Sequence, residues 1–140
     1  PAAEIPALDG QTLRLDRFRG SVVLVHFWSM ASSLCLQELP QYRQAQARFQ
    51  GNKNFVLISV SVDPDTERDA LKKFIESNQM TWTQAQVNGL EHALPLAFGV
   101  KEIPAAFLIG PLGKIIKDDL HGSELIQQIT KALADNPPGK

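Results

Sequence analysis

The residues of this chain that could carry out chemistry lie around one cysteine. Cys35 is the only cysteine among the 140 residues, and it follows Ser32 by three positions in the segment "SMASSLC". Cysteine attacks disulfides and oxidants as its thiolate, so a reactive Cys35 would need surroundings that favour the anion. A free cysteine is also common as a small buried hydrophobe. The residues alone leave both hypotheses open, a working thiol or a core residue.

The pattern after Ser32 predicts that Cys35 lies in the first turn of a helix over residues 33–49. Apolar or small residues recur there in steps of three and four, at Cys35, Leu39, Tyr42, Ala45 and Phe49. Ser32 is then the predicted N-cap, whose hydroxyl accepts a hydrogen bond from the N–H of Leu34 or Cys35. The free N–H groups and the helix dipole favour an anion, which would lower the pKa of Cys35 from its usual ~8.5.

Two further candidates lie on the apolar strand that precedes this segment. Residues 21–28, "SVVLVHFW", form a continuous β-branched and aromatic run, as expected of a strand covered on both faces. A positively charged His26 within a few ångströms of Cys35 would stabilise its thiolate, whereas a buried His26 would be a core residue with satisfied hydrogen bonds. Trp28 is expected to pack against the loop that leads to Ser32 and is a predicted substrate-binding residue.

The remaining segments predict the elements that position these residues in one α/β domain. They are a hairpin over residues 7–15, a helical turn over 16–20, a second buried strand over 54–62, a helix over 63–77, a short strand over 81–86, a short helix over 91–100, a pair of strands over 104–110 and 114–120, and a closing helix over 123–134. This order implies a mixed sheet with helices on both faces. Cys35 follows the carboxyl end of a strand, where functional groups of such sheets lie.

Composition narrows the functions that fit. The formal net charge of −1 argues against nucleic acid or an anionic membrane as a partner. No apolar run approaches the roughly 20 residues of a spanning helix, so we expect membrane attachment only through segments outside this chain. A single cysteine excludes an internal disulfide and a multi-thiolate metal site. His26, His92 and His121 lack metal-ligand spacing, and we therefore expect neither a metal nor a cofactor.

The order of several sequence blocks resembles the TlpA-like thiol-disulfide oxidoreductases, or redoxins, of the thioredoxin fold. The blocks are "ALDGQTLRLDRFRGSVVLVHFW", "LCLQELPQY", "ISVSVDPDTERDALKKFIE" and "GVKEIPAAFLIGPLGKII". The resemblance implies a single thioredoxin-like domain over residues 1–140, with a mixed central sheet, helices on both faces and an N-terminal hairpin. Residues 1–6 and 135–140 are the expected flexible ends.

The resemblance also implies roles for individual residues. Members of this family carry a Trp-Cys-x-x-Cys motif after the "FW" pair, and here Ala31 and Ser32 stand in place of the tryptophan and of the first, nucleophilic cysteine. Cys35 matches the second, resolving cysteine. Pro104 matches the cis-proline that faces the dithiol, and Ile103 would offer backbone hydrogen bonds to the peptide of a partner. His26 falls where thioredoxins often carry a buried acid.

Without the first cysteine, we predict that dithiol reduction is absent or strongly impaired, since no second thiol can release a captured partner. Three hypotheses follow. The first is a one-cysteine redoxin that acts through Cys35 by mixed-disulfide or oxidant chemistry on protein or small-molecule thiols and disulfides. The second is a peroxiredoxin-like peroxidase, because "SSLC" fits a Ser-x-x-Cys motif. The third is a redox-inactive peptide-docking module. The resemblance places all three in the cell envelope or periplasm.

Overall fold

A computed structural model describes residues 3–135 of the chain. Its elements are strands β1 (Glu4–Pro6), β2 (Thr12–Arg14) and β3 (Val22–Trp28), helix α1 (Ser33–Phe49), strand β4 (Phe55–Ser61), helix α2 (Arg68–Ser77), strand β5 (Thr83–Gln86), helix α3 (Ala93–Ala97), strands β6 (Ala105–Ile109) and β7 (Ile115–Lys117), and helix α4 (Leu125–Asp135). Short 3-10 turns precede β3, α2 and α4. Helix α1 has the bounds that the sequence pattern predicts.

Five strands form the central sheet in the order β5-β4-β3-β6-β7. β4 runs parallel to both β3 and β5, whereas β6 is antiparallel to β3 and β7. All seven residues of β3 are buried, as expected of a central strand covered on both faces. The predicted mixed sheet is confirmed.

The N-terminal hairpin pairs β1 with β2, and Ile5 lies opposite Leu13. The chain turns at Gly10, whose φ of 93° lies in the left-handed region that glycine adopts without strain. The sequence predicted a flexible end over residues 1–6, but Glu4–Pro6 form a strand and Ile5 is fully buried. Ala3 accepts a backbone hydrogen bond of 3.0 Å from Leu15, and Asp135, also predicted to be flexible, is the last residue of α4. Residues 1–2 and 136–140 lie outside the described residues.

The two faces of the sheet are covered differently. One face packs against α1, α2 and α4 through a core that includes Trp28, Leu39, Leu71, Leu125 and Ile129. The other face packs against α3 and the hairpin through a core that includes Ile5, Val25, Phe27, Leu94 and Phe98. Full burial of each such large side chain contributes about 1.5–3 kcal/mol, so both layers stabilise the sheet. None of the helices described within residues 3–135 is long and apolar enough to cross a membrane.

Strand directions bring three connections to the same edge of the sheet. β6 is antiparallel to both of its neighbours, so the start of β6 lies beside the ends of β3 and β7. The loop before α1, the segment before β6 and the segment after β7 therefore meet at this edge. It is the edge that holds Ser32, Cys35 and Pro104.

Candidate functional site

Ser32 ends the loop that leaves β3 and caps helix α1. Its backbone is extended, with φ −99° and ψ 113°, and its Oγ accepts a hydrogen bond of 3.2 Å from the backbone N–H of Cys35. The predicted N-cap is confirmed. A serine cap contributes about 0.5–2 kcal/mol to a helix, so Ser32 has a structural role that is independent of any chemistry.

Cys35 is fully buried and belongs to the core layer that contains Trp28 and Leu39. Burial raises the pKa of its thiol, because the thiolate would lose its contact with water. Hydrogen bonds from the Ser32 side chain and the Ser29 backbone oppose this effect, and the carboxylates of Glu38 and Asp63 add to it. The expected lowering of this pKa at the helix N-terminus is therefore wrong, since desolvation outweighs the favourable amides.

His26 is a neutral core residue. It is fully buried, its Nδ1 lies 2.9 Å from Ser59 Oγ, and its ring stacks on Tyr42 with the centroids 3.8 Å apart. Ser59 Oγ also accepts a hydrogen bond of 2.8 Å from Trp82 Nε1. Burial lowers the pKa of His26 from 6.5 to about 3. The hypothesis that a positively charged His26 stabilises a Cys35 thiolate is therefore wrong. His26 is a core residue, but only its Nδ1 is satisfied; its buried Nε2 has no hydrogen-bond partner within residues 3–135.

Trp28 lies beneath the site rather than at its surface. The side chain is fully buried, and its ring is 5.7 Å from that of Phe74 on α2 and 6.5 Å from that of His26. Met30, which belongs to the loop before α1, packs against the same core. Trp28 is therefore a core residue, and its ring is unavailable for direct contact with a partner, contrary to the predicted role in substrate binding.

A buried carboxylate that sequence analysis missed anchors this loop. Asp63 is 2% exposed, and it accepts hydrogen bonds from Ser29 Oγ at 2.6 Å, from the Met30 N–H at 3.2 Å and from Ser61 Oγ. Ser29 Oγ in turn accepts a 3.0 Å bond from the Ala31 N–H. β3 and β4 are parallel neighbours, so the residues that follow their carboxyl ends must lie close together. From this rule, the sequence could have identified Asp63, which follows β4, as a neighbour of the loop that follows β3.

Ile103 and Pro104 stand directly before β6, at the same edge of the sheet. The peptide bond that joins them is cis, and both residues are partly exposed. Ile103 packs against both core layers. Pro104 lines a groove of about 470 Å³, which we name the Pro104 groove; it is bounded by Gly99, Val100, Lys101, Glu102, Pro104, Ala105, Phe107, Asp118 and Asp119.

The segment after β7 closes the site through His121. Its Nδ1 lies 3.7 Å from Glu38 Oε2 on α1, and its Nε2 lies 3.5 Å from Asp119 Oδ1. These contacts link the third connection of the edge to the first turns of α1. Within residues 3–135, no group of three or more His, Cys, Asp or Glu residues is arranged to hold a metal ion.

The structure therefore brings Ser32, Cys35, Ile103 and Pro104 to one edge of the sheet and places His26 and Trp28 in the core below it. The thiol is a buried, neutral group, and the hydroxyl of Ser32 is engaged as a helix cap. As it stands, this arrangement can present backbone and apolar surface to a partner but cannot present a thiolate.

Comparisons with known proteins agree on the family to which this site belongs. The sequence model of the AhpC/TSA family matches residues 1–117. The thiol-disulfide oxidoreductase ResA of Bacillus cereus is 25% identical over 138 residues, which cover 99% of this chain and 76% of that protein.

Solved structures give the same result. The thioredoxin domain of a thiol-disulfide oxidoreductase from Bacteroides vulgatus is 30% identical, with a TM-score of 0.80 over 94% of this chain and 92% of that one. A thiol-disulfide oxidoreductase from Bacteroides fragilis is 25% identical, with a TM-score of 0.83 over 94% and 96% of the two chains. These similarities confirm the predicted thioredoxin-like fold and the predicted resemblance.

Proposed function

This chain belongs to the AhpC/TSA family, and from that premise we propose that it docks extended segments of partner proteins without carrying out dithiol exchange. In this proposal the partners are proteins of the thiol-disulfide oxidoreductase system, and the contact surface is the sheet edge around Ile103 and Pro104. Cys35 stays a thiol throughout, and Ser32 serves as a helix cap.

The complete burial of Cys35 is the observation that carries the proposal. Dithiol exchange needs an exposed thiolate that attacks and a second thiol that releases the product. By the resemblance, Ser32 stands in place of the attacking cysteine, and burial raises the pKa of the remaining thiol of Cys35. On this basis both chemical requirements for dithiol exchange are missing, whereas Ile103 and Pro104 are partly exposed at the edge.

Two features of the edge suit a docked polypeptide. Ile103 stands two residues before β6 and beyond the pairing of that strand with β3, so its backbone could hydrogen-bond an extended partner segment. Leu34 in the first turn of α1 is 60% exposed, which provides an apolar contact on the other side of the edge.

A second candidate is a one-thiol role for Cys35. The hydrogen bonds that reach its sulfur from Ser32 and Ser29 favour the thiolate and would do so more strongly if the loop opened. The thiolate would attack a partner disulfide, one partner sulfur would become bonded to Cys35, and the other would leave as a thiolate. The peroxidase hypothesis lacks such support, because peroxide reduction needs a readily ionised and accessible thiol.

The location of the protein is also a proposal. ResA is the relative that guides it, and we propose the cell envelope on the basis of the resemblance alone.

Alkylation of Cys35 across a range of pH tests the redox part of the proposal. We expect modification of the folded chain to be at least ten times slower than in denaturant, with no acceleration below the usual thiol pKa of ~8.5. Rapid modification near neutral pH would overturn the docking proposal in favour of the one-thiol candidate. Reduction of insulin should stay at background, and the Ser32→Cys variant provides the matched control for the missing thiol.

Backbone amide NMR of the labelled chain tests the docking part. Titration with unstructured peptides should shift the amides near Ile103, Ala105 and Leu34 and leave those of α2 unchanged. Shifts confined to other surfaces would show that the edge is not the docking site.

A further inference from the structure

We propose that the docked partner segment carries a lysine or arginine beside an apolar residue, and that the Pro104 groove receives this pair. The inference rests on the proposed docking function and names the class of partner. It follows from the shape of the groove, its apolar floor and the charges on its rim.

The groove exists because β7 is shorter than the strand beside it. β7 ends at Lys117, which pairs with Leu108, so residues 105–107 of β6 extend beyond the pairing. The chain after β7 returns to β6 at Leu120, whose N–H donates to the carbonyl of Ala106 at 3.4 Å. Asp118 and Asp119 lie between these points and form one wall of the groove.

The floor of the groove is apolar. Val100 and Phe107 belong to the core layer on this face of the sheet, and Pro104 and Ala105 are partly exposed beside them. The volume of about 470 Å³ can hold more than one side chain. Because Pro104 is part of the wall, a segment that contacts Ile103 needs only to continue by a few residues to enter the groove.

The rim of the groove carries an excess of negative charge. Glu102, Asp118 and Asp119 are exposed carboxylates, and Lys101 is the opposing cation of the lining, so three negative charges face one positive charge. Within residues 3–135, neither Glu102 nor Asp118 has a lysine or arginine nitrogen within salt-bridge distance, whereas Asp119 Oδ1 lies 3.5 Å from His121 Nε2. The rim thus has a formal charge of −2 in a chain whose formal net charge is −1, so the rest of the chain is formally +1.

Charge complementarity therefore selects a basic occupant, and the apolar floor selects a polypeptide over a simple cation. A long lysine or arginine side chain can lay its methylene groups on Val100 and Phe107 while its charged end reaches the carboxylates. Each exposed ion pair changes affinity by about 1.5- to 5-fold, and added salt weakens it. The carboxylates thus supply selectivity, and the apolar contacts supply most of the binding.

Fluorescence anisotropy with three matched peptides tests the inference. The three peptides have the same length and the same apolar residues. They differ at two positions, which are both Lys, both Gln or both Glu. We expect the Lys peptide to bind about 5-fold or more tightly than the Gln peptide, the Glu peptide to bind most weakly, and these differences to shrink as salt is raised. Spermine, a cation without an apolar part, should bind more weakly than the Lys peptide.

Variants locate the effect in the groove. Asp118→Asn and Glu102→Gln should each reduce the preference for the Lys peptide by about 1.5- to 5-fold while the Gln peptide binds as before. Glu76→Gln removes an exposed carboxylate on α2, away from the groove, and should change neither. Equal binding of all three peptides at the Ile103 edge would overturn this inference and leave the docking function standing. Binding of none would overturn the docking function itself, and spermine binding as tightly as the Lys peptide would overturn the choice of a polypeptide.

Discussion

The burial of His26 predicts that the chain loses stability when the pH falls below neutrality. The pKa of His26 is about 3 in the folded chain and 6.5 in the ordinary, solvated state. The unfolded chain therefore binds a proton below pH 6.5, and the folded chain does not until near pH 3. Because the folded pKa is lowered, the stabilisation is complete above pH 6.5 and is lost as the pH falls from 6.5 towards 3.

The size of the effect follows from the two pKa values. Each pKa unit corresponds to about 1.36 kcal/mol, so the interval from 6.5 down to pH 5 costs about 2 kcal/mol. The whole interval to about 3 sets an upper limit of roughly 5 kcal/mol. Domains have a total stability of about 5–15 kcal/mol, so a loss of 2 kcal/mol is readily measured.

Urea unfolding at pH 7.5, 6 and 5, followed by circular dichroism, is the assay. The His26→Gln variant is the control, since its neutral side chain keeps a hydrogen-bonding group near Ser59 but does not titrate. We expect the free energy of unfolding of the variant to change by less than 0.5 kcal/mol over this interval. The hydrogen bond from Arg14 lowers the pKa of Asp16 from 3.8, so the protonation of Asp16 changes stability only at a pH below the range of this assay. Equal stability of the native chain at pH 7.5 and 5, or the same slope in the variant, would refute the reasoning.

Three substitutions test the hydrogen bonds of the site by urea unfolding at pH 7.5. Asp63→Ala should lower the free energy of unfolding by about 3–5 kcal/mol, because Ser29, Ser61 and the Met30 N–H lose their buried acceptor, whereas Asp63→Asn should cost less than half as much. A cost of Asp63→Ala below about 1 kcal/mol would contradict its role as the anchor of the loop. Ser32→Ala should cost about 1 kcal/mol by removing the helix cap, and Ser33→Ala next to it should cost less than half of that. Tyr42→Phe should leave the free energy of unfolding unchanged or raise it by up to about 1 kcal/mol, since the buried Tyr42 hydroxyl has no hydrogen-bond partner within residues 3–135. A decrease of more than about 1 kcal/mol would show that the hydroxyl does have a partner.

Elements with long, regular patterns could be predicted from the sequence. The helical steps over residues 33–49 gave α1 with its bounds, and each of the five predicted apolar positions is buried. The continuous run of β3 likewise gave a central strand. The first strand of the hairpin was misplaced, because β1 contains only three residues and owes its position to the burial of Ile5 against the sheet. A pattern of three residues is too short to predict a strand without its tertiary partner.

The state of Cys35 could have been inferred more fully than it was. Cys35 lies four positions before Leu39 and seven before Tyr42, so it shares the apolar face that identified the helix in the first place. A side chain on that face points towards the core, so burial of the Cys35 sulfur could have been predicted. The helix dipole favours a thiolate, but its effect on an exposed or half-exposed group is about 0.3–1 kcal/mol, which complete desolvation readily exceeds. Periodicity should therefore have outweighed the dipole in predicting the pKa.

The hydrogen bonds of Asp63 are relevant to the function of the sheet edge that holds Ser32, Cys35 and Pro104. A buried carboxylate is costly unless it is hydrogen-bonded. Asp63 meets this cost with bonds from Ser29, Met30 and Ser61; the first two fix the loop between β3 and the cap at Ser32, and the third ties Asp63 to the end of β4. The proposed docking function accounts for such a fixed loop, because a partner segment at Ile103 and Pro104 would meet the surface of this edge and not the buried sulfur of Cys35.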